Sequence, residues 1–441
     1  MKIIILNGSP KGEYSVSYQY TNYWQKKDTD NLFMTFHIGT LIHTIDSNDN
    51  ELYKIIDEIK SADCIIWVYP VYTSLIPYQL MRFIEIIIEK GLFDAFKDKF
   101  TSQIVTSRHF YDHTAYNYLK QICEEWGMKT IPGHLADMED LLKKEGQKRL
   151  DDFIKEVDWM THYDEIKDLH TTKDKSKRNV VSIITNSTHE DISLNNMITW
   201  YSENVDAEVQ ILNLNDILLK SGCLGCLHCT IEGRCVIKDD FQESFVKFFK
   251  DSDAIIYAAT IKNHWFGSIW KQFDDRQFSN GHRISLMGRP VGYLISGKLS
   301  EEPNLLHVIE SRVEVGHVYL LDIISDEKDS VTVSESIKKM ALKTSWAFEN
   351  APERPVNFLG VGGMRVFRDL IYVMRGMMQE DHKFYKQHNL YDFPQKKKFA
   401  TFQAYLIGFM MKSKKIRGKI IPQLKQMMLK PYQKVIDRIM K

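Results

Sequence analysis

The chain has 441 residues, enough for about two to four domains that each bury a hydrophobic core. Hydrophobic residues make up 44% of it and charged residues 26%, which excludes a disordered chain, a collagen-like fibre and a disulfide scaffold. The N-terminal run MKIIILNGSPKGE becomes polar too soon for a signal peptide. No uncharged run reaches the length of a membrane span without prolines, so we expect a cytoplasmic protein.

Charge is balanced over the whole chain but not along it. Lys and Arg total 58, as do Asp and Glu. Residues 394–441 nevertheless contain 13 basic residues and a single acid, Asp437, a net charge of +12. We therefore expect the C-terminal part to be a separate, strongly basic segment.

Apolar runs alternate with helical patterns over the first 160 residues. Short β-rich runs separated by helices predict a parallel sheet with right-handed crossovers. The predicted strands are Lys2–Gly8, Leu32–Gly39, Asp63–Pro70, Phe100–Ser107 and Met128–Leu135. The predicted helices are Ser15–Lys27, Asn50–Ser61, Pro77–Lys90, His113–Trp126 and Glu139–Val157.

The same series recurs further along the chain, with Asn7 aligning to Asn186. The second set of predicted strands is Asn179–Asn186, Ala207–Asn215, Ala254–Thr260, Pro290–Gly297 and His317–Ile324. We therefore predict two tandem α/β domains, 1–160 and 179–350, joined by a linker at 161–178. A helical, Met-rich, basic extension follows at 351–441.

Three loops of the first domain follow the carboxyl ends of its strands, the edge where open α/β sheets bind ligands. The first suits an anion, because glycine, hydroxyls and a helix N-terminus favour phosphate. The second is a rigid aromatic turn that suits a flat heterocycle, and the third adds cationic side chains for the edge of such a ring. The candidate residues are Gly8, Ser9, Pro10, Lys11, Ser15 and Ser17 for the anion, Pro70, Val71, Tyr72 and Thr73 for the ring, and Ser107, Arg108 and His109 for its edge. Ordinary strand–turn–helix chemistry and a solvated Arg-His turn remain the alternatives.

Two runs of sequence, NGSPKG and YPVYTSLIPYQLMRFIE, occur within this series of strands. With these features, residues 1–155 resemble the NADPH-dependent FMN reductases of the flavodoxin-like superfamily. The run GEYSVS differs from that family's usual Arg-x-x-Ser-Asn-Thr. The resemblance implies doubly wound five-stranded sheets of order 2-1-3-4-5. It also implies FMN as cofactor, held by the thirteen candidates, and NAD(P)H as electron donor.

Four of the six cysteines lie in one loop of the second domain, spaced C-x2-C-x2-C-x5-C. They are Cys223, Cys226, Cys229 and Cys235. Two-residue gaps let thiolates surround one cubane, and the pattern resembles that of iron-sulfur flavoproteins, which couple a [4Fe-4S] cluster to FMN. The segments 238–240 and 270–276 also resemble that family. A zinc ion and metal-free thiols remain open, as does whether the first domain, the second or both hold FMN.

Helical patterns return beyond Ala351, at Met364–Met378, Phe399–Met411 and Ile420–Met440. We interpret Gly360–Gly363 as a flexible helix start, because no strand precedes it. Two alternatives stay open for the extension: a helical subdomain packed on the second domain, or a basic segment that contacts an anionic membrane. No recognition motif indicates nucleic-acid binding.

The sequence therefore predicts an FMN-dependent oxidoreductase or electron-transfer flavoprotein with a [4Fe-4S] cluster. No side chain is predicted to act as an acid or base, because cofactors do the redox chemistry. The expected partners are a small-molecule electron acceptor, a redox partner protein and a second copy of the chain. The rival hypothesis is a non-catalytic scaffold whose cysteine loop holds zinc or nothing and whose tail binds a partner or membrane.

Overall fold

The computed structural model describes residues 1–166, 179–396 and 398–439, which form two compact units. The first unit contains Met1–Tyr163, Glu353–Phe358 and the chain from Phe393 onwards. The second contains Asp164–Pro352 and Leu359–Asp392. Most of the predicted linker, residues 167–178, lies outside the described residues.

Each unit is built on a parallel sheet of buried, β-branched and aromatic residues. The first sheet has the order β2-β1-β3-β4-β5, with β6 also paired to β4, and the second has the order β8-β7-β9-β10-β11. Both follow the flavodoxin-like order 2-1-3-4-5. The strands are β1 (Lys2–Asn7), β2 (Leu32–Phe36), β3 (Cys64–Pro70), β4 (Phe100–Ser107), β5 (Lys129–Thr130), β6 (His134–Asp137), β7 (Val180–Thr185), β8 (Glu208–Asn213), β9 (Ala254–Thr260), β10 (Pro290–Ser296) and β11 (Tyr319–Ser325).

Helices cover both sheets and form the C-terminal part of the chain. They are α1 (Val16–Lys27), α2 (Ile38–Ser47), α3 (Asp49–Lys60), α4 (Tyr78–Glu89), α5 (Asp112–Glu125), α6 (Lys144–Thr161), α7 (Tyr163–Ile166), α8 (Ile192–Asn204), α9 (Cys229–Glu232), α10 (Phe241–Phe245), α11 (Ser268–Arg276), α12 (Pro303–Gly316), α13 (Ser330–Asn350), α14 (Phe358–Val373), α15 (Gln379–Gln387), α16 (Lys398–Met411) and α17 (Lys414–Ile439).

Two predicted strands of the first unit have other bounds. The second ends at Phe36, and α2 begins at Ile38, where Ile38, Ile42 and Ile45 are buried at helical spacing. The fifth is split into β5 and β6 around Pro132, which has no N–H to donate to the ladder.

The helical extension contributes to both units instead of standing as one subdomain on the second. Leu429, Tyr432 and Ile436 of α17 are buried in the first unit, where α17 packs against α1. Helices α14 and α15 belong to the second unit. The prediction of a flexible start at Gly360–Gly363 is wrong, because these residues lie inside α14. None of the helices among the described residues is long and apolar enough to cross a membrane.

Candidate functional site

A buried amide organises the loop that follows β1. The side chain of Asn7 donates from Nδ2 to the Gly12 carbonyl (2.9 Å), and its Oδ1 accepts from the Ser9 N–H (3.1 Å). Nδ2 also lies 2.9 Å from Nδ1 of His37, which therefore accepts and is neutral. Burial lowers the pKa of His37, in agreement with a neutral ring. One side chain thus closes the loop upon itself.

The hydroxyls of this loop already have structural partners. Ser15 is the N-cap of α1, where its Oγ accepts from the Tyr18 N–H (3.1 Å). The Oγ of Ser9 accepts from the Lys11 N–H (3.3 Å). Ser17 and Thr106 share a buried hydrogen bond of 2.7 Å between their hydroxyls. Because Ser9 and Ser15 use their oxygens as acceptors in these contacts, each keeps its O–H hydrogen for a ligand.

The loop after β3 is a tight two-residue turn. Tyr72 and Leu75 exchange both backbone hydrogen bonds (2.9 and 3.1 Å), and Thr73 and Ser74 between them have φ values of 48° and 66°. Non-glycine residues seldom adopt this left-handed conformation, and it is characteristic of functional sites. The Thr114 hydroxyl holds the turn by donating to the Ser74 carbonyl (2.6 Å).

In the loop after β4, the positive charge of Arg108 is paired with carboxylates. Arg108 donates to Asp137 (3.1 Å) and to Glu139 (2.5 Å), and the hydrogen bond to Glu139 raises its pKa above the ordinary value. The ring of His109 contacts Asp112 through Nδ1 at 2.8 Å. Both predicted ring-edge side chains are therefore held by carboxylates of the same unit.

These three loops surround one cleft of about 280 Å³. Its lining residues are Ser9, Lys11, Ser15, Val16, Ser17, Pro70, Val71, Tyr72, Thr73, Ser74, Thr106, Ser107, Arg108, Phe110 and Met138. Ten of the thirteen predicted residues are in this set, and Gly8, Pro10 and His109 are not. The five lining residues that the sequence did not single out are Val16, Ser74, Thr106, Phe110 and Met138. Met138 follows the fifth strand and so meets the same edge of the sheet.

Glycines let the first loop lie against its neighbours. A Cβ on Gly8 would approach the Leu80 side chain to 2.7 Å, so this glycine serves the packing of α4. A Cβ on Gly39 would lie 2.1 Å from the Ser9 carbonyl oxygen, a contact with rigid backbone. Gly39 therefore permits α2 to support the loop directly, a role its place in the sequence did not indicate.

The loop after β7 of the second unit is arranged differently from the loop after β1, whereas the loop after β9 forms the same kind of turn, with Asn263 and His264 at φ values of 51° and 61°. Thr188 donates its N–H and hydroxyl to Asp191 (2.8 and 2.9 Å), and Thr260 also donates to this carboxylate (3.0 Å). Burial opposes the ionisation of Asp191, but these hydrogen bonds outweigh it and lower its pKa. A hollow of about 410 Å³ lies here, lined by Ser187, Thr188, His189, Asn195, Asn213, Asn215 and Asp216. These residues lie after β7, on α8, and at and just after the end of β8, so the hollow is formed on one side of the sheet edge.

The four-cysteine loop follows β8 of the second unit. Cys223 and Cys226 are exposed, and Cys229 and Cys235 are partly buried. Burial raises the pKa of the Cys229 thiol, and the charges of the other three cysteines raise it further. Within the described part of the chain, however, no three His, Cys, Asp or Glu side chains converge closely enough to hold a metal ion. The predicted cluster is not confirmed by this geometry.

A buried ion pair fixes the base of this loop. Arg276 on α11 donates from both terminal nitrogens to Asp239 (2.7 and 2.9 Å), and both side chains are fully buried. Arg276 also donates to the Ser221 carbonyl (3.1 Å), and Asp239 accepts from the Lys220 N–H (3.1 Å). The two segments that resemble iron-sulfur flavoproteins thus meet at one place.

Comparison with known proteins agrees with the flavodoxin-like class that the strand order defines. A family described as having a flavodoxin-like fold matches residues 1–158. An iron-sulfur flavoprotein of Archaeoglobus fulgidus is 24% identical over 192 residues, which cover 42% of this chain and 86% of that protein.

Two solved structures are similar to about a third of the chain. One is the FMN-dependent NADH-azoreductase of Bacillus anthracis in complex with FMN (19% identity, 37% of this chain, 98% of that one, TM-score 0.24). The other is the NAD(P)H:(acceptor) oxidoreductase FerB of Paracoccus denitrificans (17% identity, 37% of this chain, 97% of that one, TM-score 0.31).

We expect Gly39→Ala to destabilise the first unit, because the new methyl group meets the Ser9 backbone. The expected loss is about 1–3 kcal/mol of unfolding free energy, measured by urea denaturation. Gly362→Ala is the control: it adds the same methyl group inside α14, where a Cβ has open space around it. Equal stability of the two variants would contradict the described contact between Gly39 and the loop.

Proposed function

We propose that the protein is an FMN-dependent oxidoreductase that binds FMN in the cleft of the first unit and takes electrons from NAD(P)H. The observation that carries this proposal is the cleft itself, where the loop after β1, the tight turn after β3 and the loop after β4 meet. The similarity of residues 1–158 to a flavodoxin-like family supports it, as do the names of the similar flavoenzymes. A cytoplasmic location is part of the same proposal.

The loop after β1 fits a phosphate group. Ser9 and Ser15 each have a hydroxyl hydrogen to donate, and Lys11 lies exposed at the cleft with a positive charge. The N-terminus of α1 opens at Ser15, and its dipole favours an anion there. We propose that these residues hold the FMN phosphate.

The turn after β3 fits a flat ring. Its backbone is held by hydrogen bonds at Tyr72, Leu75 and Thr114, so a ligand meets a preformed surface. Phe110 is 62% exposed and lines the same cleft, which adds an apolar wall. FMN supplies the redox chemistry when bound, and the protein positions it and tunes its potential.

Charge favours the first unit over the second as the flavin site. At the aligned positions, Lys11 of the first loop corresponds to Glu190 of the second, which is followed by the ionised Asp191. A phosphate would meet attraction in one loop and repulsion in the other.

We expect Lys11→Glu to weaken FMN binding about tenfold or more, because it reverses the charge beside the phosphate. Titration of flavin-free protein with FMN measures the effect. Lys11 is exposed, so the variant should keep its fold. Glu190→Lys is the matched control and should leave the affinity unchanged.

Absence of FMN from purified protein, with no binding on titration, would contradict the oxidoreductase proposal and favour the scaffold. A gain of affinity in Glu190→Lys, with no loss in Lys11→Glu, would move the site to the second unit.

A [4Fe-4S] cluster on the four-cysteine loop is our second proposal. It rests on the C-x2-C-x2-C-x5-C spacing of four thiols in a loop whose base is fixed by Arg276 and Asp239. Thiolates are the soft ligands that such clusters require. Because no three described metal-binding side chains converge, the loop would have to close around the cluster as it is loaded.

Protein purified without oxygen should carry about four iron atoms per chain and an absorbance that bleaches on reduction. Cys226→Ser should lose most of this iron, since a hydroxyl replaces a thiolate poorly. Cys123→Ser is the control, because Cys123 is buried in the first unit. Stoichiometric zinc without iron, or iron that survives loss of both Cys226 and Cys229, would contradict the proposal.

A further inference from the structure

Helix α16 is the most exposed apolar element among the described residues of the C-terminal part. Phe402 is 65% exposed, Tyr405 77% and Phe409 73%, and Phe399 and Leu406 are exposed as well. Contiguous apolar patches of this kind on a soluble unit mark a surface that meets a partner or a membrane. The helix packs against α17, and none of its described side chains is buried.

The four aromatic side chains of α16 and Leu406 share one side of the helix, whereas Ile407 lies on the other side. At 100° per residue, Phe399, Phe402, Tyr405, Leu406 and Phe409 fall within about one third of the circumference. Ala404 and Gly408 lie on the opposite side. The helix therefore presents one broad aromatic face, and no charged residue occurs between Phe399 and Met411.

Positive charge flanks this face at both ends. Lys396, Lys397 and Lys398 precede the aromatic residues, and five basic residues follow between Lys412 and Lys419. The described side chains of Lys398, Lys412 and Lys415 are exposed. An apolar face between two cationic clusters complements a surface that is apolar inside and anionic outside, which is the chemistry of an anionic lipid monolayer.

We propose that α16 lies in the headgroup region of an anionic membrane, with its aromatic face inserted and its flanking lysines on the lipid phosphates. Its 14 residues span about 21 Å, which is short of the ~30 Å hydrocarbon core, so it lies along the surface. A second copy of the chain fits less well, because residues 394–441 carry +12 and two such segments repel each other.

The helix that follows α16 anchors it to the folded first unit. Leu429, Tyr432 and Ile436 of α17 are buried, and the Tyr432 hydroxyl donates to the Met138 carbonyl (2.5 Å). Met138 also lines the cleft. Membrane binding through α16 would therefore place the whole first unit at the lipid surface.

Flotation of the full chain with lipid vesicles tests this proposal. The protein should bind vesicles of phosphatidylcholine mixed with phosphatidylglycerol and should bind pure phosphatidylcholine much less. Rising salt should weaken binding as it screens the lysines. The double variant Phe402→Ser/Phe409→Ser should bind the mixed vesicles about tenfold less tightly or worse.

The matched control is Ile192→Ser/Val331→Ser, which removes two equally exposed apolar side chains (68% and 72%) from the second unit and should bind as the unchanged chain does. Lys412→Glu/Lys415→Glu tests the charge independently and should also weaken binding. The proposal is overturned if the unchanged chain does not bind the mixed vesicles, or if both the aromatic variant and the lysine variant bind them as well as it does. A concentration-dependent dimer that the aromatic variant abolishes, without vesicle binding, would assign the face to a second copy instead.

Discussion

The fully buried amide of Asn7 ties together the loop that follows β1, and the cleft depends on it. Its nitrogen donates to the Gly12 carbonyl and its oxygen accepts from the Ser9 N–H, so both halves of the loop close on one side chain. A buried polar group left without these partners would cost about 1–3 kcal/mol, which favours the closed loop over alternatives. Gly39 completes the constraint, since any side chain there would collide with the Ser9 backbone.

The two units share one sheet order but carry different residues in the loops at its carboxyl edge. In the first, three loops at the carboxyl edge surround one cleft that carries Lys11. In the second, the ionised Asp191 closes the corresponding loop with its own hydrogen bonds, and an inserted loop carries the four cysteines. The buried pair of Arg276 and Asp239 fixes where that insertion begins and ends. The fold is thus shared, and the two units differ in their loop residues.

Much of the sheet architecture could be predicted from sequence, because buried parallel strands are continuous apolar runs between helical patterns. The loops at Ser9, Tyr72 and Ser107 followed from the strand ends. Helix α2 was missed because its start directly follows β2, where an extended strand was predicted through Gly39. Gly8 illustrates a different limit. The sequence predicted that it belongs to the anion site, whereas its close approach to Leu80 is seen only in the three-dimensional structure.

The C-terminal extension shows the same limit of sequence-based prediction. Helices α14, α16 and α17 were predicted with shifted bounds and α15 was missed. The unit on which each helix packs depends on contacts hundreds of residues apart, such as that between Tyr432 and Met138. The cysteine spacing indicated a shared site, and only the structure shows that no three metal-binding side chains converge among the described residues. The pairing of Arg276 with Asp239 likewise joins two segments that sequence reasoning had noted separately.

Hydrogen exchange of the full chain, followed by mass spectrometry with and without added FMN, tests the central claim most directly. The account predicts that FMN slows exchange in the segments 8–17, 71–75 and 107–110, the loops that surround the cleft of the first unit. Protection confined to the second unit, around residues 186–191 and 261–267, would contradict it, as would an exchange pattern that FMN leaves unchanged.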